Sequence, residues 1–459
     1  MEQLDMIVRG GAVVGDEGTR AVDVAIQDGV IVAVAENLDA RAPQELDAAG
    51  LHVLPGAIDV HVHCNEPGRT AWEGFATATS ALATGGATAF ADMPLNSAPP
   101  TIDGEAFDHK LEAALASSVV DFALWGGLVP GNLDRLEELA ERGVIGFKAF
   151  MAPSGLDDFP AADDLTLLEG MKICARLGLP VAVHAENATI TAALAQRAVA
   201  AGATSAQDYL DSRPVIAELE AIKRALAFAG EAGCALHVVH VSTGRGVAVI
   251  AEGRAQGVDV TCETCPHYLL LTEDDLERLG PVAKCAPPLR RREDQQSLWT
   301  ALAREQVDMV CSDHSPCSPE LKDTGSFFSA WGGITGAQTT LTLLLTEGYL
   351  ERNLPLSAVA YMTAQRPAQR FALSGKGRIE PGADADLALV RLGTESTLQS
   401  TDLRYRHPIS AWTGRRLRAR VTRTILRGET VFDGRNVVGA RGRLLTPDQQ
   451  LVPNPAGRP

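Results

Sequence analysis

Eight short apolar segments recur through the middle of this chain, and helix-like stretches separate them, for example at 134–143 and 216–233. Such alternation predicts parallel strands joined by crossover helices. Eight units of this kind predict an α/β fold, a closed (β/α)8 TIM barrel, and the lack of a G-x-G-x-x-G after the first strand disfavours an open doubly wound sheet. The predicted strands are 57–63, 87–93, 119–125, 144–150, 180–186, 236–242, 258–264 and 307–313.

The two ends of the chain have a different sequence pattern. Short alternating runs with Gly-Gly or Asp-Gly turns fill residues 4–54, and similar runs return from about residue 375. Such runs predict β-strands rather than helices. We therefore predict a small β-sandwich domain built from both ends (1–55 and 366–445), a barrel domain (56–365) and a mobile tail (446–459).

Charge and cysteine usage limit the partners and the compartment. The 58 acidic residues outnumber 41 basic ones, which disfavours nucleic acid and anionic membranes as partners. The chain begins without a signal-like segment and has no apolar stretch of about 18 residues. Its eight scattered cysteines predict reduced thiols in the cytoplasm, and the pair Cys262 and Cys265 has no second pair to complete a zinc ribbon.

Six polar residues stand late in predicted strands that are otherwise apolar. In the first strand, His61 and His63 are two positions apart and therefore face the same side. Because active sites of such barrels form where the carboxyl ends of the strands meet, we expect all six to converge there. Burying so many polar groups without partners would be costly. The six are His61, His63, Lys148, His184, His240 and Asp313.

Imidazole and carboxylate groups are ligands for zinc and related divalent ions, and six residues exceed the needs of one tetrahedral ion. They suit two ions about 3.5–4 Å apart. An ammonium group cannot ligate a metal, so Lys148 has two interpretations: a carbamate formed with CO₂, or an amine paired with a buried acid. Zinc, manganese and cobalt all fit these ligands.

Three further histidines are less clear from the sequence. His237 lies three positions before His240, faces the other side of the strand and is predicted to be structural. His314 follows Asp313 and should point away from it. His267 lies after the seventh strand, where it either contacts a ligand or caps the loop.

These motifs resemble those of the amidohydrolase superfamily, in its branch of cyclic amidohydrolases. The resemblance covers nearly the whole chain, in LPGAIDVHVH, GFKAFM, VHAEN, HVVHVS, ETCPHYL, SDHSPC and GRIEPGADADLALV. It implies that His61 and His63 bind the buried metal and that His184 and His240 bind a second one. It also implies that Lys148 is N6-carboxylated and bridges both metals, and that Asp313 completes the site.

Two loops distinguish members of this branch. Dihydroorotases carry an arginine where this chain has Asn65, and hydantoinases carry a tyrosine where it has Pro153. The stretches NEPGRTAWEGF, ADMPLNSAPP, KCAPPLR and SAWGGITG resemble instead the allantoinase family. One departure is Ala286, where relatives often have serine.

The resemblance implies that a hydroxide shared by two metal ions opens the ring of allantoin to give allantoate. Asp313 would act as general base and then general acid. It also implies a homotetramer and a preference for the S enantiomer. Two alternatives stay open: a hydantoinase or dihydropyrimidinase with an unusual loop, and a non-catalytic scaffold. Candidate substrate contacts are Asn65, Asn96, Cys285, Ala286, Gly332 and Gly333.

Overall fold

The computed structural model describes residues 4–15, 18–439 and 442–448. Its strands are β1 (Met6–Gly15), β2 (Gly18–Gln27), β3 (Val30–Ala35), β4 (Gln44–Asp47), β5 (His52–Pro55), β6 (Ala57–Val62), β7 (Ala87–Asp92), β8 (Asp121–Leu124), β9 (Gly126–Gly127), β10 (Phe147–Phe150), β11 (Val181–His184), β12 (Leu236–Val238), β13 (Val260–Thr264), β14 (Met309–Val310), β15 (Leu387–Thr397), β16 (Arg416–Leu426) and β17 (Glu429–Phe432).

The α-helices of the described residues are α1 (Phe75–Thr84), α2 (Gly104–Ser117), α3 (Leu136–Glu141), α4 (Asp164–Leu177), α5 (Ala188–Ala200), α6 (Ala206–Asp211), α7 (Val215–Ala232), α8 (Gly244–Ala255), α9 (Pro266–Leu270), α10 (Glu273–Leu279), α11 (Arg292–Ala303), α12 (Thr340–Leu343), α13 (Leu356–Ala360) and α14 (Arg366–Arg370). π-Helical turns at Leu344–Leu350 and Tyr361–Gln365 continue α12 and α13. None of the described helices is both long and apolar enough to cross a membrane.

Parallel strands β6 to β14 form the predicted barrel. Strands β6, β7 and β8 pair in that order, and β9 to β14 pair in chain order. Only Trp125 separates β8 from β9, so these two segments share one of the eight strand positions. The ring closes where Val62 bridges to His314, and the His63 amide donates to the His314 carbonyl over 2.9 Å. The barrel prediction is confirmed.

The barrel strands are buried on both faces because helices cover their outer side. Every residue of β6, β7 and β10 is buried, as expected for parallel strands between a filled interior and a layer of helices. Inside, Ile58, Val60, Ala89 and Trp125 pack in one apolar cluster. This filled interior leaves the carboxyl ends of the strands as the place for chemistry.

Strands from both chain ends form one mixed sheet in the order β17-β16-β15-β5-β1-β2-β3, with β4 also paired to β1. β5 and β15 join the two halves, with Val53 opposite Leu389. Apolar side chains of β1, β2, β3, β5, β15 and β16 share one core cluster. The prediction of a small β-domain that combines both ends is therefore confirmed.

The domain boundaries stay a prediction, and the contacts near residue 366 favour a later one. After α14, Phe371 and Leu373 pack in the cluster inside the barrel, and Phe371 contacts the ring of Trp125 at 5.2 Å between centroids. These contacts favour a barrel domain that extends past residue 366, because α14 continues the preceding helical turn instead of starting the sheet. Near the other end, Arg443 and Leu445 hydrogen-bond Phe122 of β8.

The predicted tail begins later than residue 446. The amide of Asp448 donates to the carbonyl of Ala372 over 2.9 Å, and Ser374 donates to its carboxylate over 2.7 Å. These bonds fix residues 446–448 against the barrel. The remainder of the predicted tail, 449–459, lies outside the described residues.

Candidate active site

Two histidines and an aspartate meet where the last barrel strand closes on the first. His61 lies in β6, His63 follows that strand, and Asp313 follows β14. Oδ1 of Asp313 is 3.2 Å from Nε2 of His61 and 3.5 Å from Nε2 of His63. All three side chains are buried, and their ligand atoms lie within 4.8 Å of one another. These three residues form a candidate metal-binding group.

A second pair of histidines adjoins this group. Nδ1 of His184, at the end of β11, is 2.9 Å from Nε2 of His240, which follows β12. The ring of His240 also lies 5.4 Å from the ring of His61. A positive φ of 41° at His240 turns the chain at this point and directs its ring toward the other histidines. The two pairs therefore face one common space.

Lys148 of β10 reaches the same space. Its side chain is fully buried, and Nζ has no hydrogen-bond partner among the described residues. Burial lowers the pKa of Lys148 to about 8, although Glu263 and Asp313 favour its charged form. An unpaired buried amine is unfavourable. Nζ of Lys148 therefore fits a carbamate formed with CO₂ better than it fits an amine paired with a buried acid.

The charges of the cluster suit cation binding. Burial alone raises the pKa of Asp313, but the imidazoles of His61, His63 and His240 lower it well below its usual value. Burial lowers the pKa of His184 and of His240 and so favours the neutral form that binds metals. An ionised carboxylate beside imidazole nitrogens is the donor set that divalent metals prefer.

Two buried glutamates hold the histidines, and the sequence analysis missed both. Glu263 of β13 accepts hydrogen bonds from Nδ1 of His61 and, over 3.2 Å, from Nε2 of His237. His237 is therefore structural, as predicted. Residues that hydrogen-bond a metal-binding histidine typically fix the orientation of its ring in this way. The only signal in the sequence was a glutamate inside the apolar run VDVTCET.

Glu186 plays the corresponding part for the second pair. Its Oε2 accepts from Nε2 of His184 over 2.7 Å and from the guanidinium of Arg213. Burial alone raises the pKa of Glu186, but Arg213 and His184 lower it to about 2. With Nε2–H donated to this carboxylate, Nδ1 of His184 is left to bind a ligand.

A cavity of about 330 Å³ opens above these six predicted residues, which is enough for a small polar ring. His61, His63, His184, His240 and Asp313 line it directly. The other walls come from loops after several strands and include Leu95, Asn96, Phe150, Pro153, Ser154, Tyr209, Ser212, Arg213, Lys284, Ala286, Ser315, Phe328, Trp331 and Gly332.

The structure separates the six predicted substrate contacts into two groups. Asn96, Ala286 and Gly332 line the cavity, and Nδ2 of Asn96 has no partner among the described residues. The other three lie outside the lining and are engaged elsewhere. Asn65, Cys285 and Gly333 hydrogen-bond Pro316, Tyr209 and Lys284, respectively.

The two other histidines that the sequence left unclear, His314 and His267, are both buried. Nδ1 of His314 accepts from the amide of Gly336 over 3.2 Å, so its ring points away from Asp313 as predicted. His267 is buried, and its Nε2 has no partner among the described residues. With Cys265 and Asp313 it forms a second group within 4.8 Å, so its two predicted roles stay open.

Known proteins resemble this chain along its whole length. The model of the amidohydrolase family matches residues 52–431. An allantoinase from Rubrobacter xylanophilus is 60% identical, over 98% of this chain and 99% of the relative. An allantoinase from Deinococcus radiodurans is 52% identical, over 97% and 99%.

Solved structures share the fold. The L-hydantoinase (dihydropyrimidinase) from Arthrobacter aurescens has a TM-score of 0.94 at 35% identity, over 97% of this chain and 100% of that one. The dihydropyrimidinase from Brevibacillus agri has a TM-score of 0.89 at 31% identity, over 96% and 98%. With the His61, His63 and Asp313 group at the barrel mouth, these likenesses indicate a metal-dependent hydrolase. The chain belongs to the amidohydrolase family.

Proposed function

We propose that this chain hydrolyses the cyclic amide bond of allantoin and so gives allantoate. The observation that carries the proposal is the convergence of His61, His63, Lys148, His184, His240 and Asp313 beneath one small polar cavity. The identity of 60% with an allantoinase over nearly the full chain supports the substrate. A cyclic, neutral and polar substrate also suits walls that combine apolar side chains with amide, hydroxyl and cationic groups.

We assign the metal ligands from the same geometry. His61, His63 and Asp313 would hold one divalent ion, and His184 and His240 would hold the other. Lys148, as the N6-carboxylated side chain, would supply further oxygen ligands, a role that its unpartnered buried Nζ supports. Zinc is the proposed ion, with manganese or cobalt as substitutes. When bound, such ions lower the pKa of a water molecule and polarise a carbonyl oxygen.

Asp313 is the proposed acid and base. Its low pKa keeps the carboxylate ionised, so it accepts the proton of the attacking water. As the new C–O bond forms and the ring C–N bond breaks, Asp313 returns that proton to the leaving nitrogen. Asp313 is 8% exposed and lines the cavity, so its carboxylate can contact both the water and the ring.

The alternative function is that of a hydantoinase or dihydropyrimidinase, the activity named for the solved relatives at 31–35% identity. Pro153, rather than tyrosine, lines the cavity and favours allantoin. A non-catalytic scaffold is not favoured, because all six residues are present. A small-molecule substrate follows from both enzymatic proposals, and the cytoplasmic homotetramer remains a prediction from family resemblance.

The test begins with protein stripped by a chelator and reloaded with zinc, manganese or cobalt in the presence of bicarbonate. Allantoate, identified by mass spectrometry, should appear only after reloading. The Asp313→Asn variant should lose about 10²- to 10⁴-fold in kcat, as expected for loss of a general base. Near-normal turnover by this variant would refute the role of Asp313, and activity in stripped protein would refute metal dependence.

A further inference from the structure

One wall of the cavity carries two cationic side chains that the proposed mechanism does not use. Arg213 and Lys284 both line the cavity and both contact the ring of Tyr209. Cζ of Arg213 is 5.7 Å and Nζ of Lys284 is 4.6 Å from the centroid of that ring. We call these three residues the polar wall. Through Glu186, Arg213 connects the polar wall to His184 in the metal cluster.

Lys284 has spare hydrogen-bond donors in this wall. Lys284 is only 5% exposed, which is as low as many residues of the apolar core. An amine carries three N–H donors when protonated, and the carbonyl of Ala330 is its one hydrogen-bond acceptor among the described residues. Burial, together with repulsion from Arg213 and Lys322, lowers the pKa of Lys284 to about 7. A buried donor without an acceptor is unfavourable, so this amine suits a ligand oxygen.

Arg213 adds further donors beside it. Its guanidinium carries five N–H donors, and Glu186 is its one side-chain acceptor among the described residues. The hydroxyl of Tyr209 donates to the carbonyl of Cys285 over 2.9 Å and is therefore engaged. The polar wall thus offers N–H donors to the cavity. It would favour a substituent rich in carbonyl oxygens and disfavour an apolar or cationic one.

We propose that the polar wall is the subsite for the ureido arm of the substrate and that Lys284 determines specificity for hydantoins whose 5-substituent accepts hydrogen bonds. This inference rests on the proposed function. With the scissile amide at the metal cluster, the arm extends to the wall, and its carbonyl oxygen accepts from Lys284 and Arg213. Unsubstituted hydantoin has no such arm, and 5-methylhydantoin has an apolar group in its place.

The test compares kcat/KM for allantoin, hydantoin and 5-methylhydantoin in metal-loaded wild-type protein and in Lys284→Met. For allantoin the variant should lose about 10- to 100-fold, as expected for one strong hydrogen bond. For hydantoin the change should stay within about threefold, and for 5-methylhydantoin the value should rise. Lys284→Gln, which keeps an N–H donor, should recover part of the preference for allantoin.

Lys322→Met is the matched control. Lys322 is a half-buried lysine that also donates to carbonyls of the 331–333 segment, but it does not line the cavity. Its replacement should affect all three substrates by similar factors. Equal losses for allantoin and hydantoin in Lys284→Met, or no loss for allantoin, would overturn the subsite alone. Wild-type protein that opens hydantoin but not allantoin would overturn the proposed function and the subsite with it.

Discussion

Replacing Glu186 with glutamine should weaken metal binding at the His184 and His240 pair. The carboxylate accepts Nε2–H of His184 over 2.7 Å and also pairs with Arg213, and both Glu186 and His184 are buried. Glutamine keeps the shape, and its carbonyl oxygen can take the place of Oε2, which accepts both bonds, but the negative charge is lost. The imidazole of His184 then loses part of its basicity.

The magnitude follows from the position of Glu186 directly behind a ligand. Substitutions of such groups typically cost 10- to 100-fold in metal affinity, which is about 1.4–2.7 kcal/mol. Arg213 also loses its charged partner, but it lines the cavity with its side chain 21% exposed and can gain water. Breaking a fully buried ion pair typically costs about 3–5 kcal/mol. We therefore expect Glu186→Gln to lower the free energy of unfolding by less than this.

Competition with a chromophoric chelator measures this prediction. In Glu186→Gln one of the two ions should transfer to the chelator at 10- to 100-fold lower chelator concentration, while the other is retained. Glu263→Gln is the matched control, since it lies behind His61 and should loosen the other ion instead. If both ions of Glu186→Gln resist the chelator as in the wild type, the reasoning about this carboxylate is refuted.

Three further predictions concern lysines. Lys148→Met should lower metal content and kcat by at least about 100-fold, and wild-type protein grown with ¹³C-bicarbonate should show a carbamate resonance that the variant lacks. Lys376→Met leaves the buried Asp386 without its cation and Asp121 with Arg427 alone, so urea unfolding should show a loss of about 3–5 kcal/mol. The pKa of Lys284 is about 7 in the folded state against 10.5 in the unfolded state, so the unfolded chain binds the proton more tightly. Stability should therefore rise more steeply between pH 7 and 10 in the wild type than in Lys284→Met, by up to about 1.4 kcal/mol per unit.

The barrel and the six candidate ligands were predictable because their signals are local. Each strand is an apolar run that a single polar residue interrupts near its carboxyl end, and the fold brings those ends together. His61 and Asp313 are far apart in the chain, yet the closure of β14 on β6 places them 3.2 Å apart. The order of the strands was enough to infer this meeting.

The partners behind the ligands were not predictable from one sequence. Glu186 and Glu263 stand in the runs VHAEN and VDVTCET like ordinary strand-end residues, and only the fold shows which imidazole each one holds. The polar wall was missed for the same reason, since Tyr209 lies in the short helix α6 and Lys284 in a loop, far apart in the chain. The sequence also gives no sign that α14 continues the preceding helical turn past the predicted boundary at 366, because the composition shows no break there.

The central claim is that this chain opens the ring of allantoin. The most direct measurement is kcat/KM for allantoin, hydantoin, dihydrouracil and dihydroorotate, with the same metal-loaded protein and with bicarbonate present. The account predicts that allantoin is preferred by at least about tenfold over each of the others. A preference for hydantoin or dihydrouracil would contradict the account of the substrate, and no turnover of any of the four would contradict the account of the metal cluster as an active site.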